Sequence, residues 1–364
     1  MPEIQRLIDM LPALLPGHGR IMDVGCGNGD LVHRLRRLGY DAFGIDPQVD
    51  EMAGHEALIP GEAAHLPVEQ GLVQVALMVN SFHHVPPGEM DRALGEIAYA
   101  LAPGGRLIVV EPLAEGGWFE LLRPLEDETE MRAAAEAAIE RASIVGFVHA
   151  NPHVYLAERR AADLEEVLEA FVAAEPGRGP GVGPARAEVA RRFASTGRAD
   201  GEGRVFLQPM RLDILDLPAG QPVVRFAHDD DERSRAFEVR QAVFCDEQGV
   251  SIEGEFDGLD DACEHLVATM GQRIVGAARI RPYGENGSIG KIERVAVLKE
   301  ARGTGMGERL VRFASEVLQA RGHRILLLNA QVHAERFYRR LGYLPEGELF
   351  DDEGIPHIAM LRRN

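Results

Sequence analysis

Apolar positions between residues 20 and 112 recur with two different periods. Short apolar runs, Arg20–Val24, Asp41–Ile45, Val73–Val79 and Arg106–Val110, alternate with segments where apolar side chains return every three or four residues. The helical stripes are Leu31, Val32, Leu35 and Leu38, then Met90, Leu94, Ile97 and Leu101. This alternation predicts parallel strands joined by crossover helices, a doubly wound α/β sheet. From Leu113 to about Ala174 the chain is rich in Ala and Glu and reads mostly as helix, a cap or insertion with Trp118, Phe119 and Leu122 as apolar contacts. Glu175–Pro184 (EPGRGPGVGP) carries too much Gly and Pro for a regular element and is expected to be a loop. Arg204–Leu215 reads again as a strand, which places that loop inside the first domain and the boundary at the PAGQP of residues 218–222. Beyond it a strand leads through Ile292 to Val297. A helix follows with Leu310, Val311, Ala314, Val317 and Leu318 on its buried face, then a strand His323–Leu328 and a further helix.

Length supports the same division, because 364 residues exceed what one core usually holds. The expected organisation is a first domain over 1–218 (core about 1–112, helical cap about 113–200), a linker over 219–222 and a second domain over 223–364. A formal charge of −19 opposes binding to a polyanion, so nucleic acid is not an expected partner. No run is long and apolar enough to span a bilayer, and Glu3, Arg6 and Asp9 interrupt the first helical stripe, so neither membrane nor signal segment is expected. The cysteines Cys26, Cys245 and Cys263 form no CxxC pair, which fits a reducing cytoplasm and gives no metal site. Cys245 and Cys263 read as small packing residues rather than nucleophiles.

Chemistry concentrates first in IMDVGCGNGDLVHRLRRLGYDAFGID, a strand, a glycine turn, a helix and a second strand ending in Asp46. Gly25, Gly27 and Gly29 permit a sharp turn and close approach of a ligand to the backbone. The helix that follows aims free N–H groups at the same place. Asp46 stands about 20 residues on, where a carboxylate can accept from ribose hydroxyls. The GxGxG spacing after Asp23 resembles the first motif of class I S-adenosylmethionine (SAM) dependent methyltransferases, and the likeness continues through GEAAHLP (61–67), NSFHHV (80–85) and ALGEIAYALAPGGRLIVVE (93–111). The resemblance implies a Rossmann-like methyltransferase sheet in which Asp23, Gly25, Cys26, Gly27 and Gly29 line the methionine moiety, Asp46 the ribose, Glu62 and Ala63 the adenine edge, with Asn80 at the cofactor. Gln74 departs from the acidic residue the family often carries there. His83 or His84, with His84 the candidate, is either a proton acceptor for the nucleophile or a hydrogen-bonded loop residue. Trp118 and Tyr155 either line an acceptor pocket or pack in a core.

The second concentration is KIERVAVLKEARGTGMGERLVRFASEVLQARG, where Arg302, Gly303, Thr304, Gly305, Met306 and Gly307 join a strand to a helix with RxxGxG spacing. Small residues there let helix-start amides surround a pyrophosphate, which the helix dipole favours. With HAERFYRRLGY after the next strand, and with VFCDEQGVSIEGEFDGLDDACEHLVA, LNAQ and DDEGIPHIAMLRR, the segment 223–364 resembles the GNAT N-acetyltransferases of the YjcF and ElaA-like branch. That resemblance implies a mixed α/β GNAT sheet, acetyl-CoA held by Val295, Val297, the RxxGxG residues, Gln331 and Tyr338, and Tyr338 as the acid for the leaving thiolate. Phe337 and Tyr338 read otherwise as packing residues. Glu293 is either a base, a binder of substrate ammonium, or a partner of Arg294. The acidic residues Glu253, Glu255, Asp257, Asp260 and Asp261 either attract a cationic amine or form a solvated face.

The sequence therefore predicts a bifunctional transferase using SAM and acetyl-CoA on small-molecule acceptors, an amine among them. Two alternatives stay open: an active acetyltransferase beside a silent SAM-binding domain, and a first domain that senses SAM and regulates its neighbour.

Overall fold

The computed structural model describes residues 3–15, 19–49, 57–174, 178–201 and 203–363. The first part of the chain runs α1 (Leu7–Leu14), β1 (Arg20–Val24), α2 (Asp30–Arg37), β2 (Asp41–Asp46), β3 (Leu58–Pro60), β4 (Val73–Val79), α3 (Met90–Ala100), β5 (Leu101–Pro112), α4 (Gly117–Leu122), α5 (Thr129–Glu140), β6 (Val148–His149), β7 (His153–Ala161), α6 (Leu164–Ala174), α7 (Gly179–Thr196), β8 (Arg198–Asp200) and β9 (Gly203–Asp216). The second runs β10 (Val223–Phe226), α8 (Asp230–Arg240), α9 (Ile252–Glu255), β11 (Glu264–Met270), β12 (Arg273–Tyr283), β13 (Ile289–Val297), α10 (Met306–Ala320), β14 (Ile325–Gln331), α11 (Glu335–Arg340), β15 (Leu344–Asp352) and β16 (Ile355–Arg363).

The first sheet has the order β3-β2-β1-β4-β5-β9-β6, with β7 and β8 also paired to β9. Strands β3, β2, β1, β4 and β5 are parallel, and β9 closes on β5 antiparallel. Burial on both faces explains why β1 and β4 are predominantly apolar instead of alternating with polar residues. Reversal of strand order at β1/β4 leaves a crevice beyond their carboxyl ends, where open α/β sheets bind ligands. The second sheet has the order β10-β11-β12-β13-β14-β16-β15, antiparallel throughout except for β13 and β14. The mixed α/β class expected from the sequence is what forms.

Two expectations for the middle of the chain are corrected. The Ala- and Glu-rich segment forms helices α4, α5 and α6 but is not helical over 153–161, where β7 pairs antiparallel with β9 from His153↔Leu212 to Ala161↔Arg204. Local composition favours helix there, and the long-range partner overrides it. Nor is 178–184 a loop: α7 starts at Gly179, and Pro180 occupies its first turn, where a missing N–H costs nothing. Residues 175–177 of that expected loop lie outside the described residues. Trp118 packs edge-on to Phe206 with centroids 5.6 Å apart and Tyr155 is buried, so both take the packing alternative.

One apolar core runs through both sheets, from Met22, Met78 and Leu107 through Leu94 and Ile97 to Val224, Phe226, Leu310 and Phe313. The crossing is made by α3, which is buried nearly all round rather than on one face. A methyl added at Gly95 would sit 2.8 Å from the Cβ of Arg225, so the glycine permits the close approach of α3 to β10. Arg225 itself is 1% exposed, paired to Glu232 at 2.6 Å and stacked 4.6 Å above the ring of Tyr99. His228 adds a 2.9 Å hydrogen bond to Glu96, and Arg92 and Arg321 both grip Glu264.

Candidate functional site

The first candidate site lies at the ends of β1, β2, β4 and β5. Gly25 turns at φ 76°, and its N–H donates to the Ile45 carbonyl at 2.7 Å. A Cβ there would overlap Ser81, whose hydroxyl donates 2.8 Å to the Val24 carbonyl, so β1 and β4 are tied at the turn. Gly27, at φ 54°, faces open space, and its N–H donates 2.9 Å to Asp46. Gly29, at φ 80°, precedes α2; the Asp30 N–H donates to the Asn28 side chain at 3.2 Å, and the helix-start amides after it are those that can face a ligand. Asp46 ends β2 and also accepts from the Gln48 N–H at 2.8 Å. Cys26 packs on β2, where any side chain at Gly44 would collide with its sulfur, and burial pushes its thiol up to about 12. It is a packing residue of the turn rather than a thiolate.

Asp23 is the unusual group. Its side chain is 3% exposed, and burial, with the charge of Asp46 adding, pushes the carboxyl up to about 7. No described cation offsets it. A buried carboxylate of this kind fits the ammonium of a ligand, and the glycine turn beside it fits the rest of an aminoacyl nucleoside. Glu62 is exposed and Ala63 half-buried on the turn that follows β3, where the Gly61 N–H meets the Asp46 carbonyl at 3.3 Å. Asn80, left-handed at φ 54°, leaves β4 toward the same crevice.

Next to it the short turn Phe82–His84 is clamped by Glu111 at the end of β5, which accepts from the Ser81 and Phe82 amides at 3.1 and 2.8 Å and hydrogen-bonds Nδ1 of His83. Nε2 of His83 lies 3.8 Å from Glu128, and the rings of His83 and His84 are 4.1 Å apart. Burial, reinforced by His83, lowers the pKa of His84 and keeps its imidazole neutral. The imidazole oriented by a carboxylate is therefore His83, while His84 stands on the exposed side. Sequence reasoning missed Glu111 and Glu128. Glu111 closes the strand LIVVE, but Glu128 comes from a separate helix start and carried no signal. Although His83, His84 and Glu128 place potential ligand atoms within 4.8 Å of one another, the Glu128 carboxylate is already bonded to Arg132 at 2.5 Å.

The second candidate site opens where β13 and β14 part. They pair only at Ile289–Lys291 with Ile325–Leu327, and a register shift opposite Ala277/Arg279 puts Arg294 at φ 54°. The resulting cleft, about 430 Å³, is lined by Val295 and Val297 on one side, Leu328 and Gln331 on the other, and Tyr338 of α11. At its end Gly303 and Gly305 turn at φ 80° and 84° with open space on their Cα atoms, and α10 begins without a side-chain cap. Arg302 donates to the Val297 carbonyl at 2.9 Å, and the Thr304 hydroxyl to the Ala301 carbonyl at 2.6 Å, fixing the loop. Met306 sends its side chain into the core, leaving only its amide to the loop, and Gly307 lies against Phe337. These bare amides fit a pyrophosphate.

Tyr338 is 9% exposed and burial pushes its phenol well above the usual range, so it holds its proton. Gln331 donates to Gln248 at 2.7 Å. Two expectations about charge are corrected. Glu293 pairs not with Arg294 but with Lys291 at 2.7 Å, Arg281 at 2.9 Å and Arg279 at 3.2 Å. Its burial works upward, yet Arg281 and Lys291 outweigh it and bring the carboxyl down to about 2, too weak a base to deprotonate an amine. In the acidic stretch Glu253 and Asp261 are exposed, as a solvated face would be, but the other three carboxylates are taken by arginines. Glu255 meets Arg240 at 2.6 Å and Arg294 at 2.9 Å, Asp257 meets Arg279 at 2.6 Å, and Asp260 bridges Arg240 and Arg279.

A family model described as a methyltransferase domain matches residues 2–171, and one described as an acetyltransferase (GNAT) domain matches 231–363. The uncharacterized N-acetyltransferase YjcF of Bacillus subtilis (strain 168) is 38% identical over 138 residues, 37% of this chain and 96% of YjcF. Protein ElaA of Escherichia coli (strain K12) is 31% identical over 130 residues, 34% of this chain and 83% of ElaA. Among solved structures, Escherichia coli ElaA is similar with a TM-score of 0.35 at 26% identity, covering 39% of this chain and 99% of that one. Bacillus subtilis YcgJ follows with 0.41 at 15%, covering 58% and 97%. The chain thus carries a methyltransferase domain at its N-terminus and belongs, through its C-terminal part, to the YjcF/ElaA-like GNAT acetyltransferases.

Proposed function

We propose that the chain is a bifunctional transferase that moves a methyl group from SAM and an acetyl group from acetyl-CoA to small-molecule acceptors, the acetyl acceptor being an amine. The observation that carries the first half is Asp23, a buried carboxylate with no described counter-charge beside an open glycine turn. Asp23 would hold the ammonium of the methionine moiety, Gly25, Cys26, Gly27 and Gly29 would present their backbone to it, and Asp46 would hold the ribose. Glu62, Ala63 and Asn80 would border the nucleoside. SAM supplies an electrophilic methyl, so the protein's task is alignment. His83, held by Glu111, and the neutral His84 stand where an acceptor hydroxyl or amine would give up its proton.

In the second half the amides of Gly303, Gly305 and Gly307 would hold the pyrophosphate, and Arg302 and Thr304 keep that loop in shape. Val295 and Val297 would line the pantetheine arm beside Gln331. Acetyl-CoA supplies an activated acyl group, and Tyr338, kept protonated by burial, would protonate the departing thiolate. Asp352 at the end of β15 and Glu353 in the turn that follows supply the negative mouth that suits a cationic amine. A cytoplasmic location belongs to the same reading and is supported by three free cysteines; among the described residues no helix is long and apolar enough to cross a membrane.

The test is calorimetric titration of SAM and acetyl-CoA separately and then together, followed by assay for S-adenosylhomocysteine and free CoA with amine-containing metabolite fractions. Binding of SAM without S-adenosylhomocysteine release, with acetyl-CoA affinity changed by SAM, would instead support a silent regulatory first domain. The apolar core shared by α3 and β10 favours such coupling as a second reading.

A further inference from the structure

The cleft between β13 and β14 holds a further group with the means to move a proton, His357. It lies near the start of β16, directly opposite Gln331 on β14, and its ring lines the same cleft as Tyr338. Nδ1 is 2.8 Å from the Ile355 carbonyl. A carbonyl can only accept, so Nδ1 carries the hydrogen, and in the neutral ring the lone pair is on Nε2. The ring of Phe350 stacks over the imidazole at 5.8 Å and fixes its plane, while 9% of the residue stays accessible.

An amine acceptor arrives as an ammonium and must lose a proton before it can attack. Each other titratable group enclosed within the cleft is occupied or unsuited, and the rest stand exposed at its rim. On β13, Glu293 is neutralised by Arg279, Arg281 and Lys291, and Lys291 and Arg294 are themselves cations. On α9, Glu255 is shared by Arg240 and Arg294. On α11, Tyr338 must keep its proton for the thiolate. At the end of β15 and in the turn that follows, Asp352 and Glu353 are exposed, and Glu353 accepts from the Ser251 hydroxyl at 3.1 Å. His333 is exposed in the turn after β14, and Arg302 is ion-paired with Glu247 at 2.7 Å.

We propose that His357 is the general base of acetyl transfer, its Nε2 taking the proton of the acceptor ammonium. The proposal rests on the acetyltransferase reading above. In the balanced step the free amine forms a nitrogen–carbon bond to the thioester carbonyl and the carbon–sulfur bond breaks. Nitrogen sheds two protons: one passes through His357 to solvent, and the other restores the phenol of Tyr338 after it has protonated the thiolate.

Two measurements test it. In histidine-labelled protein without ligands, nitrogen NMR should show the signal that is absent from His357→Gln as the Nδ1–H tautomer. With acetyl-CoA and spermidine, tyramine or lysine methyl ester as acceptor, His357→Gln should lower kcat by roughly 10²-fold or more, the range for a removed general base. It should also flatten the acid limb of kcat/KM while leaving KM for acetyl-CoA in place. A ring carrying its hydrogen on Nε2 overturns the proposal, as does a variant whose kcat and acid limb match the wild type. If the wild-type protein acetylates none of the three amines, the acetyltransferase reading is what fails, and the tautomer still decides for or against an open Nε2.

Discussion

Replacing Asp23 by asparagine removes a charge that the folded protein holds at a cost. Its carboxyl is pushed from an ordinary 3.8 up to about 7. A group whose folded pKa is raised above its unfolded value keeps more protons in the folded state, so stability falls as pH rises through the interval between the two. At about 1.36 kcal/mol per unit, the full interval corresponds to roughly 4 kcal/mol of destabilisation, complete above pH 7 and mostly absent below pH 4. Between pH 5 and pH 8 the same arithmetic gives about 2–3 kcal/mol. The side-chain amide of the variant does not titrate, so the stability of Asp23→Asn relative to wild type should rise by about that amount over the same interval in urea unfolding without ligand. SAM should narrow the gap between the two proteins, because its ammonium neutralises Asp23 and has no counter-charge in the variant. SAM affinity should fall by roughly ten- to a hundredfold, the worth of a charge-assisted hydrogen bond. Equal pH dependence in the two proteins, or undiminished SAM binding by the variant, would refute the assignment of Asp23 as a destabilised ammonium receptor.

Other perturbations separate the two sites and the seam between them. Gly305→Glu puts a side chain at φ 84° and a carboxylate where the pyrophosphate would lie; acetyl-CoA binding should disappear from a calorimetric titration while SAM binding persists. Glu232→Gln leaves the buried Arg225 without its counter-charge and should cost about 3–5 kcal/mol in urea unfolding, lowering the stability of both halves because their core is continuous. His228 has its pKa raised chiefly by its hydrogen bond to Glu96, so its contribution is full below the ordinary imidazole value of 6.5 and is lost as pH rises through the higher folded value. The wild type should accordingly lose stability on that alkaline side, and His228→Gln should lack that loss, as read from unfolding midpoints between pH 6 and pH 9.

The two nucleotide-type turns were legible because they are local. Gly25 and Gly27, like Gly303 and Gly305, act through backbone conformations that residue type alone restricts, Asp46 follows at a fixed spacing, and the strands flanking them announce themselves by predominantly apolar runs. The helical reading of 153–161 failed because a strand rich in Ala, Glu and Arg is held by its partner β9 rather than by its own propensity. The ionisation of the candidate residues was also beyond the sequence. Glu293 and the acidic stretch around Asp257 looked available, yet Arg240, Arg279 and Arg281, from separated places in the chain, converge on them.

By itself the sequence determined two α/β units, the places where each turns its backbone toward a ligand, and the family of each, since these depend on residue type and on spacing along the chain. Only the tertiary structure decided which carboxylates are spent on arginines, that Asp23 is buried without a described counter-charge, that Glu111 orients His83 and the Ile355 carbonyl orients His357, and that α3 and Gly95 seat the second unit on the first. Those properties are set by distance and by exclusion of water, and both arise from residues far apart in the chain coming together.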